Sequence, residues 1–311
     1  MIDLLNELMK EDTAGDPMSN QKWSRKDTRE LSSQMKQRGV SISAGTVGKV
    51  LKENDYSLRV NRKSISESNH VDRDLQFRQI ADIKKRFEDG GMPIISVDSK
   101  KKELIGEFKN DGAVWRKTDR KVFTHDFRSH ANALAAPYGL FECLKNRGTV
   151  VIGTSSDTSE FAVDAIGLWL TTTAFNSYPG MRKFLILCDC GGSNGYRTRL
   201  WKTRLHQQIA LQYGLEITVC HYPPGASKWN PVEHRLFSFI SMEWRGEPLV
   251  SLEFLKNKIE ATTTRTGLTV KAIINDKIYE KGIKISDSEF SKVNVNYHDF
   301  LPNWNYTIGL N

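Results

Sequence analysis

Two short apolar runs, each closed by an aspartate, constrain this chain more than any other feature: Pro93-Ile94-Ile95-Ser96-Val97-Asp98 and Phe184-Leu185-Ile186-Leu187-Cys188-Asp189. Gly90-Gly91 precedes the first and Gly191-Gly192 follows the second, so both read as buried strands too short for helices. A carboxylate that ends an apolar strand sits at the rim of a sheet, where α/β proteins place their sites. Further strands are expected over 104–108, 138–142 and 149–152, and then the texture alternates. A helix capped at Asp157 carries Phe161, Ala165, Leu168 and Trp169 on one face; the strand 183–189, a helix over 194–214, a strand over 215–221 and a helix over 231–244 follow. Strands first and α/β alternation afterwards is the order of a ribonuclease-H-like mixed five-stranded sheet with flanking helices, here spanning 92–262. Residues 263–311 form a carboxy-terminal extension whose Tyr279, Tyr297, Phe300, Trp304 and Tyr306 suit packing on the core or on a partner.

The 311 residues are enough for about two domains, and the charge is concentrated in the smaller one. Lys and Arg number 45 against 37 Asp and Glu; residues 20–63 alone hold eleven bases and four acids, whereas the lead-in 1–19 holds five acids and one base. A local excess of that size collects phosphates by counterion release. A helix that Ser24 can cap carries Thr28, Leu31 and Met35 and ends at Gly39, and a second carries Thr46, Val47, Val50 and Leu51. Two short helices around a tight turn give a small all-α helix-turn-helix module over 20–63. Its expected DNA contacts are Lys22, Arg25 and Lys26 ahead of the pair, Thr46, Lys49 and Lys52 on the second helix, and Arg59, Arg62 and Lys63 after it. A basic helical hairpin with a merely solvated face has the same periodicity. Serine-rich 64–72 reads as linker, continued to 91 by a connecting helix with Leu75, Ile80, Ile83 and Phe87.

No apolar run approaches the 18 or so residues of a membrane span, and acids rather than bases follow Met1, so no membrane partner and a cytoplasmic, nucleoid-associated location are expected. The four cysteines, Cys143, Cys188, Cys190 and Cys220, are too few for a disulfide framework and fit a reducing compartment. Cys188, Cys190, Cys220 and His221 allow a four-ligand zinc site to be drawn, but without a C-x2-C spacing; small buried hydrophobes are the better reading.

A third acid joins the two strand-end aspartates. Glu233 begins a helix with Asn230 as cap and Pro231 at its first position, and steps of three, four and seven residues from it reach Leu236, Phe237 and Ile240. Glu233 thus lies on the inward stripe, where an unpaired charge is costly and a cation satisfies it; a fold-back onto Asn230 in a capping-box variant is the competing reading. Three carboxylates without a nucleophile triad suit phosphoryl transfer by two divalent cations, Mg with Mn as substitute. Lys100 and Lys228 are expected to contact DNA beside these acids, with His234 and Asn230 as secondary candidates.

Several collinear motifs carry a resemblance: Val97-Asp98-Ser99-Lys100-Lys101-Lys102-Glu103-Leu104-Ile105-Gly106, Asp189-Cys190-Gly191-Gly192-Ser193-Asn194-Gly195, and His221-Tyr222-Pro223-Pro224-Gly225 through Trp229-Asn230-Pro231-Val232-Glu233-His234-Arg235-Leu236-Phe237-Ser238. With Thr262-Thr263-Thr264-Arg265-Thr266-Gly267-Leu268-Thr269-Val270 and the closing Trp304-Asn305-Tyr306-Thr307, the chain resembles ISAzo-thirteen-type insertion-sequence transposases from about Trp23 onward. The resemblance implies a DDE transposase with a ribonuclease-H-like core, in which Asp98, Asp189 and Glu233 are the catalytic, metal-holding triad. It also implies double-stranded DNA as partner, both element terminal inverted repeats and target DNA, with a homodimer on paired ends. Strand cleavage at the ends and strand transfer into target DNA are the expected reactions. Such transposases carry a further amino-terminal DNA-binding segment, and here only 22 residues precede Trp23. A shortened copy that binds DNA without cutting is the alternative.

Overall fold

The computed structural model describes residues 2–11, 13–15, 22–24, 27–54, 56 and 70–310, with the side chains of 9–26 left aside. Two compact units divide the chain, residues 1–65 and 66–311. In the first, α1 (Ile2–Glu11) is followed by a two-stranded antiparallel ribbon, β1 (Thr13–Gly15) with β2 (Lys22–Ser24), and by α2 (Thr28–Gln37) and α3 (Ala44–Glu53). Residues read from sequence as a lead-in contribute to the core, because Leu5 and Leu8 of α1 are buried with Leu31, Met35, Val47 and Val50. Asp27, not Ser24, caps α2: its Oδ1 accepts from the main-chain N–H of Arg29 and Glu30, both at 2.8 Å. Ser43 caps α3 through the N–H of Thr46 at 3.1 Å, and Gly39, at φ +85°, ends α2 in the left-handed region that glycine tolerates.

The second unit opens with α4 (Arg73–Asp89), which packs on a sheet through Ile80, Ile83 and Phe87. Leu75, grouped with that stripe on sequence, is exposed, and Gln76 is buried in its place, exchanging side-chain hydrogen bonds with Asn305 at 2.9 and 2.7 Å. The strands are β3 (Ile94–Ser99), β4 (Glu103–Ile105), β5 (Ala133–Glu142) and β6 (Arg147–Gly153); α5 (Ser159–Trp169) runs through a π-helical turn, Leu170–Ala174, into α6 (Phe175–Ser177). Then come β7 (Lys183–Cys188), α7 (Arg199–Arg204) with its π-helical continuation Leu205–Leu211, β8 (Glu216–His221), α8 (Ser238–Glu243) and α9 (Leu252–Glu260). The chain closes with β9 (Thr269–Asn275), α10 (Asp287–Phe290), β10 (Val295–Tyr297) and β11 (Asn305–Ile308).

The sheet is mixed, in the order β10-β11-β8-β7-β3-β5-β6-β9, with β4 paired to β5. Its centre is the expected ribonuclease-H-like arrangement: β3, β5 and β6 run antiparallel in succession, then β7 joins β3 in parallel and β8 joins β7 in parallel. Among the described residues it has nine strands, not five, because β4 pairs with β5 and the residues read as an extension add β9 beside β6 on one edge and β11 with β10 beside β8 on the other. These added strands cover edges that would otherwise expose unpaired N–H and C=O groups. Strand alternation divides the core. Ile95, Val97, Phe184, Ile186 and Val219 meet α5 and α7 through Phe161, Ile166, Trp169, Trp201 and Leu205. On the opposite face, Ile94, Leu185 and Leu187 meet α4, while Phe141, Val150 and Ile152 meet Leu236, Phe237, Ile240, Leu255 and Ile259. Each such side chain, fully buried, stabilises the fold by about 1.5–3 kcal/mol relative to exposure.

Candidate active site

The register of β3 against β7 builds the site. Val97 pairs with Cys188 across the parallel ladder, so Asp98 and Asp189, one residue further on each strand, stand abreast at the same end of the sheet. Adjacent strands lie about 4.8 Å apart, which forces the two acids to be neighbours. Both are half-buried and line an open cleft of about 760 Å³. Asp98 Oδ1 accepts from the N–H of Ser99 at 2.8 Å. Its carboxyl is held well above the usual carboxylate range, first by burial, then by the charge of Asp189, and further by Glu233, through both charge and a shared side-chain hydrogen bond. Asp189 is also pushed up by burial, but hydrogen bonds from Asn230 and Ser227 oppose the rise.

Asn230 joins the three acidic segments. Its Nδ2 donates to Asp189 Oδ1 at 3.0 Å and to the main-chain oxygen of Val97 at 3.2 Å, and its Oδ1 accepts from the Ser96 hydroxyl. Ser96 Oγ accepts in turn from the N–H of Val232 at 2.8 Å, tying β3 to the start of the segment that bears Glu233. Sequence reasoning made Asn230 a helix cap. Its side chain is instead wholly buried in this network, and only its main-chain oxygen receives the N–H of Glu233, at 3.1 Å. In place of the competing reading, a fold-back onto Asn230, the Glu233 side chain interacts with Asp98. The helix expected over 231–244 opens as a π-helical turn, Glu233–Phe237, before α8. Such turns recur at functional sites because they re-aim one side chain without ending the helix. Close approach of this segment depends on Gly139, the partner of Asp98 on β5: a Cβ there would lie 2.5 Å from the Phe237 ring.

His221, at the end of β8, supports Asp189 from behind. Its Nδ1 lies 2.8 Å from the main-chain oxygen of Asp189 and its Nε2 3.0 Å from Tyr306 Oη. Complete burial keeps the imidazole neutral, pushing its pKa down to about 4.

Other expected residues are dispersed. Lys100 follows Asp98 by two residues, but its ammonium pairs with Glu103 at 2.5 Å and lies 5.0 Å over the Trp244 ring. Lys228 is exposed above Trp229 on the short turn before Asn230, and His234 is exposed. Thr46, Lys49 and Lys52 are exposed on α3, in the other unit. The side chains of Lys22, Arg25 and Lys26, and residues Arg59, Arg62 and Lys63, lie outside the described residues. The drawn zinc site is not assembled: Cys190 Sγ donates to the Tyr222 oxygen at 2.9 Å, and burial pushes the Cys190 and Cys220 thiols up to about 12, away from thiolate. Sequence reasoning missed Asp157, Tyr196 and Arg197, which line the same cleft. Asp157 was assigned as a cap, yet Thr158 caps α5 through the N–H of Phe161 at 3.3 Å, and Asp157 Oδ1 is buried without a hydrogen-bond partner. A carboxylate just before a helix signals a cap as readily as a site, so no local pattern separates the two.

Among the described residues, no three carboxylate, imidazole or thiolate groups are gathered closely enough to hold a metal ion by themselves. The donor set nonetheless fits a hard divalent cation. Asp98 and Asp189 offer adjacent carboxyls that burial and mutual repulsion leave short of positive charge, and Mg²⁺ is held by one or two carboxylates with water and substrate phosphates supplying the rest.

The family described as Rhodopirellula transposase DDE domain matches residues 4–309. Among solved structures, the chain is similar to the Mos1 transposase paired-end complex with left transposon end, at 14% identity over 83% of this chain and 69% of that one, with a TM-score of 0.44. It is similar also to the Mos1 strand transfer complex, at 13% identity, 83% and 68% coverage and a TM-score of 0.43, and to the mariner Mos1 paired end complex with Mg, at 13%, 83%, 69% and 0.44. No curated protein matches the chain. Among the described residues, no helix is long and apolar enough to cross a membrane.

Proposed function

This chain belongs to the Rhodopirellula transposase DDE domain family, and from that membership we propose that it cuts DNA strands at the ends of an insertion sequence and joins them to target DNA, with Asp98, Asp189 and Glu233 as its acids. The observation that carries this reading is the placing of Asp98 and Asp189 side by side on parallel strands, with Glu233 brought to Asp98 by a segment pinned through Asn230 and Ser96. Asp98 and Asp189 would hold divalent cations, Mg²⁺ or Mn²⁺, with Glu233 completing the set. When bound, such ions supply charge stabilisation at the attacking and leaving oxygens of an in-line displacement at phosphorus.

The chain's own residues do the rest. Asn230 and Ser227 hold the Asp189 carboxylate at the wall of the cleft. Gly191 and Gly192 have nothing within 4 Å of where a Cβ would stand, so the backbone of that loop is open to a DNA strand. Arg197, exposed at the rim and set against Tyr196 by an Nε donation of 2.8 Å to the hydroxyl, is placed to take a phosphate. Cleavage and strand transfer are both displacements at phosphorus, so one cleft serves both by accepting water first and a 3′-hydroxyl second. On α3, Thr46, Lys49 and Lys52 are exposed and would hold the phosphate backbone of the element end.

A cleavage assay on DNA carrying the element's ends, with and without Mg²⁺ or Mn²⁺, tests the proposal. Metal-dependent nicking by the wild type that disappears in Asp189→Asn is the expected result. Metal-independent binding with no nicking by either protein would overturn it in favour of a DNA-binding remnant.

A further inference from the structure

The residues that close the chain reach the site without touching the cleft. Tyr306 lies on β11, which pairs antiparallel with β8, and His221 ends β8 opposite Cys188 of β7. A main-chain oxygen can only accept, so the 2.8 Å contact from His221 to the Asp189 carbonyl requires the hydrogen on Nδ1. Nε2 is then an acceptor, and it takes the Tyr306 hydroxyl at 3.0 Å. The hydroxyl oxygen receives Trp201 Nε1–H, also at 3.0 Å. Trp201 can only donate, which sets the direction of the whole chain: Trp201 to Tyr306 to His221 to the peptide of Asp189. Trp201, Tyr306 and His221 are completely buried, so solvent offers no substitute partner for any link.

We propose that His221 and Tyr306 are positioning residues for Asp189, fixing its peptide by this one-way hydrogen-bond chain while Asn230 fixes its carboxylate. The proposal rests on the reading of Asp189 as a catalytic acid. Two constraints at right places are needed because Asp189 lies just past the last ladder pair of β7, where no strand partner holds its carbonyl. The chain also gives the added strand β11 a function beyond covering an edge: it carries the hydroxyl that selects the imidazole tautomer.

The test uses the full-length protein and three near-isosteric variants. Asn in place of histidine keeps an N–H donor where Nδ1 was, Gln moves it to where Nε2 was, and Tyr306→Phe removes only the hydroxyl. The midpoint of Mn²⁺-induced thermal stabilisation, measured without DNA, is read beside kcat and KM for cleavage of element-end DNA. His221→Gln and Tyr306→Phe are expected to raise the Mn²⁺ midpoint and lower kcat by about 10–100-fold, the usual range for partners that orient a ligand, with KM for DNA unchanged. His221→Asn is expected to stay within about 3-fold of wild type on both measures, against the order that side-chain volume would give. Equal losses in the Asn and Gln variants, or a lower melting temperature with an unmoved Mn²⁺ midpoint in Tyr306→Phe, would overturn it. Asp189→Asn serves as the control. If it retains cleavage, the reading of Asp189 is overturned and the proposal with it; if it loses cleavage while the other variants keep wild-type midpoints, the proposal alone fails.

Discussion

The ends of β3 and β7 look equivalent in sequence, each an apolar strand closed by aspartate, but the fold treats them in opposite ways. At the end of β7, Asp189 is held through its carboxylate by Asn230 and through its carbonyl by His221. At the end of β3, the Asp98 carboxyl receives the adjacent N–H of Ser99 and otherwise meets acids, sharing a hydrogen bond with Glu233 and facing Asp189. One end is geometrically fixed and electrostatically eased; the other has no cationic partner and holds its proton beyond the usual carboxylate range. The difference teaches where a cation is needed most. A partner for Asp98 must come from outside the chain, whereas Asp189 is already aimed.

The comparison is broken most directly at Asp98. Asp98→Asn is expected to reduce strand cleavage by at least ~10³-fold, the scale seen when an essential group is removed. In the metal-free protein it should raise the melting temperature at neutral pH, since it removes a buried carboxyl that can ionise only without a positive partner. Cleavage and thermal unfolding in chelator check both halves, and a destabilised Asp98→Asn would refute the claim that Asp98 is the uncompensated end.

Asn230→Ala attacks the fixed end. It removes the links to Asp189, Val97 and Ser96 together and leaves buried polar atoms unpaired, an expected cost of about 2–4 kcal/mol in denaturant unfolding. Cleavage should fall by about 10–100-fold, less than for loss of an acid, because the carboxylate remains but loses its aim.

Much of this contrast was legible in the residues and part of it was not. The two strand-end aspartates could be found because a six-residue apolar run closed by an acid has few other meanings, and the register then places them abreast. Glu233 was legible from its position three, four and seven residues before Leu236, Phe237 and Ile240. Asn230 could be named only as a secondary candidate, because Asn before Pro is the signature of a helix start and its partners lie 41 and 133 residues away in the chain. Asp157 was hidden in the same way, by a cap position one residue off. The edge strands β9 and β11 escaped because a strand at the rim of a sheet shows weak alternation, and its identity is decided by partners distant in sequence.

Gly139→Ala sharpens the comparison from the β5 side. The added methyl meets Phe237 and the side chain of Val232, so either the Glu233 segment moves outward or the core is overpacked at about 1–3 kcal/mol. The expected result is about a 10-fold loss of cleavage with the Mn²⁺ midpoint raised. The His221 bond to the Asp189 carbonyl, made from β8, should be undisturbed, so the variant separates the Glu233 segment from the His221–Asp189 contact.

The smallest effect is also the most specific. Asp98 keeps its proton to higher pH in the folded chain than the value of about 3.9 it has unfolded, so above pH ~4 the folded state binds more protons. Its contribution to stability is therefore full below pH ~4 and is lost as pH rises through the folded pKa. Asp189 shifts in the same direction, but Asn230 and Ser227 oppose the shift. In chelator, Asp98→Asn should thus gain stability relative to wild type between pH 5 and 8, and Asp189→Asn should gain less, as urea unfolding at about six pH values would show. Equal gains would mean that the two strand ends carry the same electrostatic burden, and that the hydrogen bonds to Asp189 set its geometry without easing its charge.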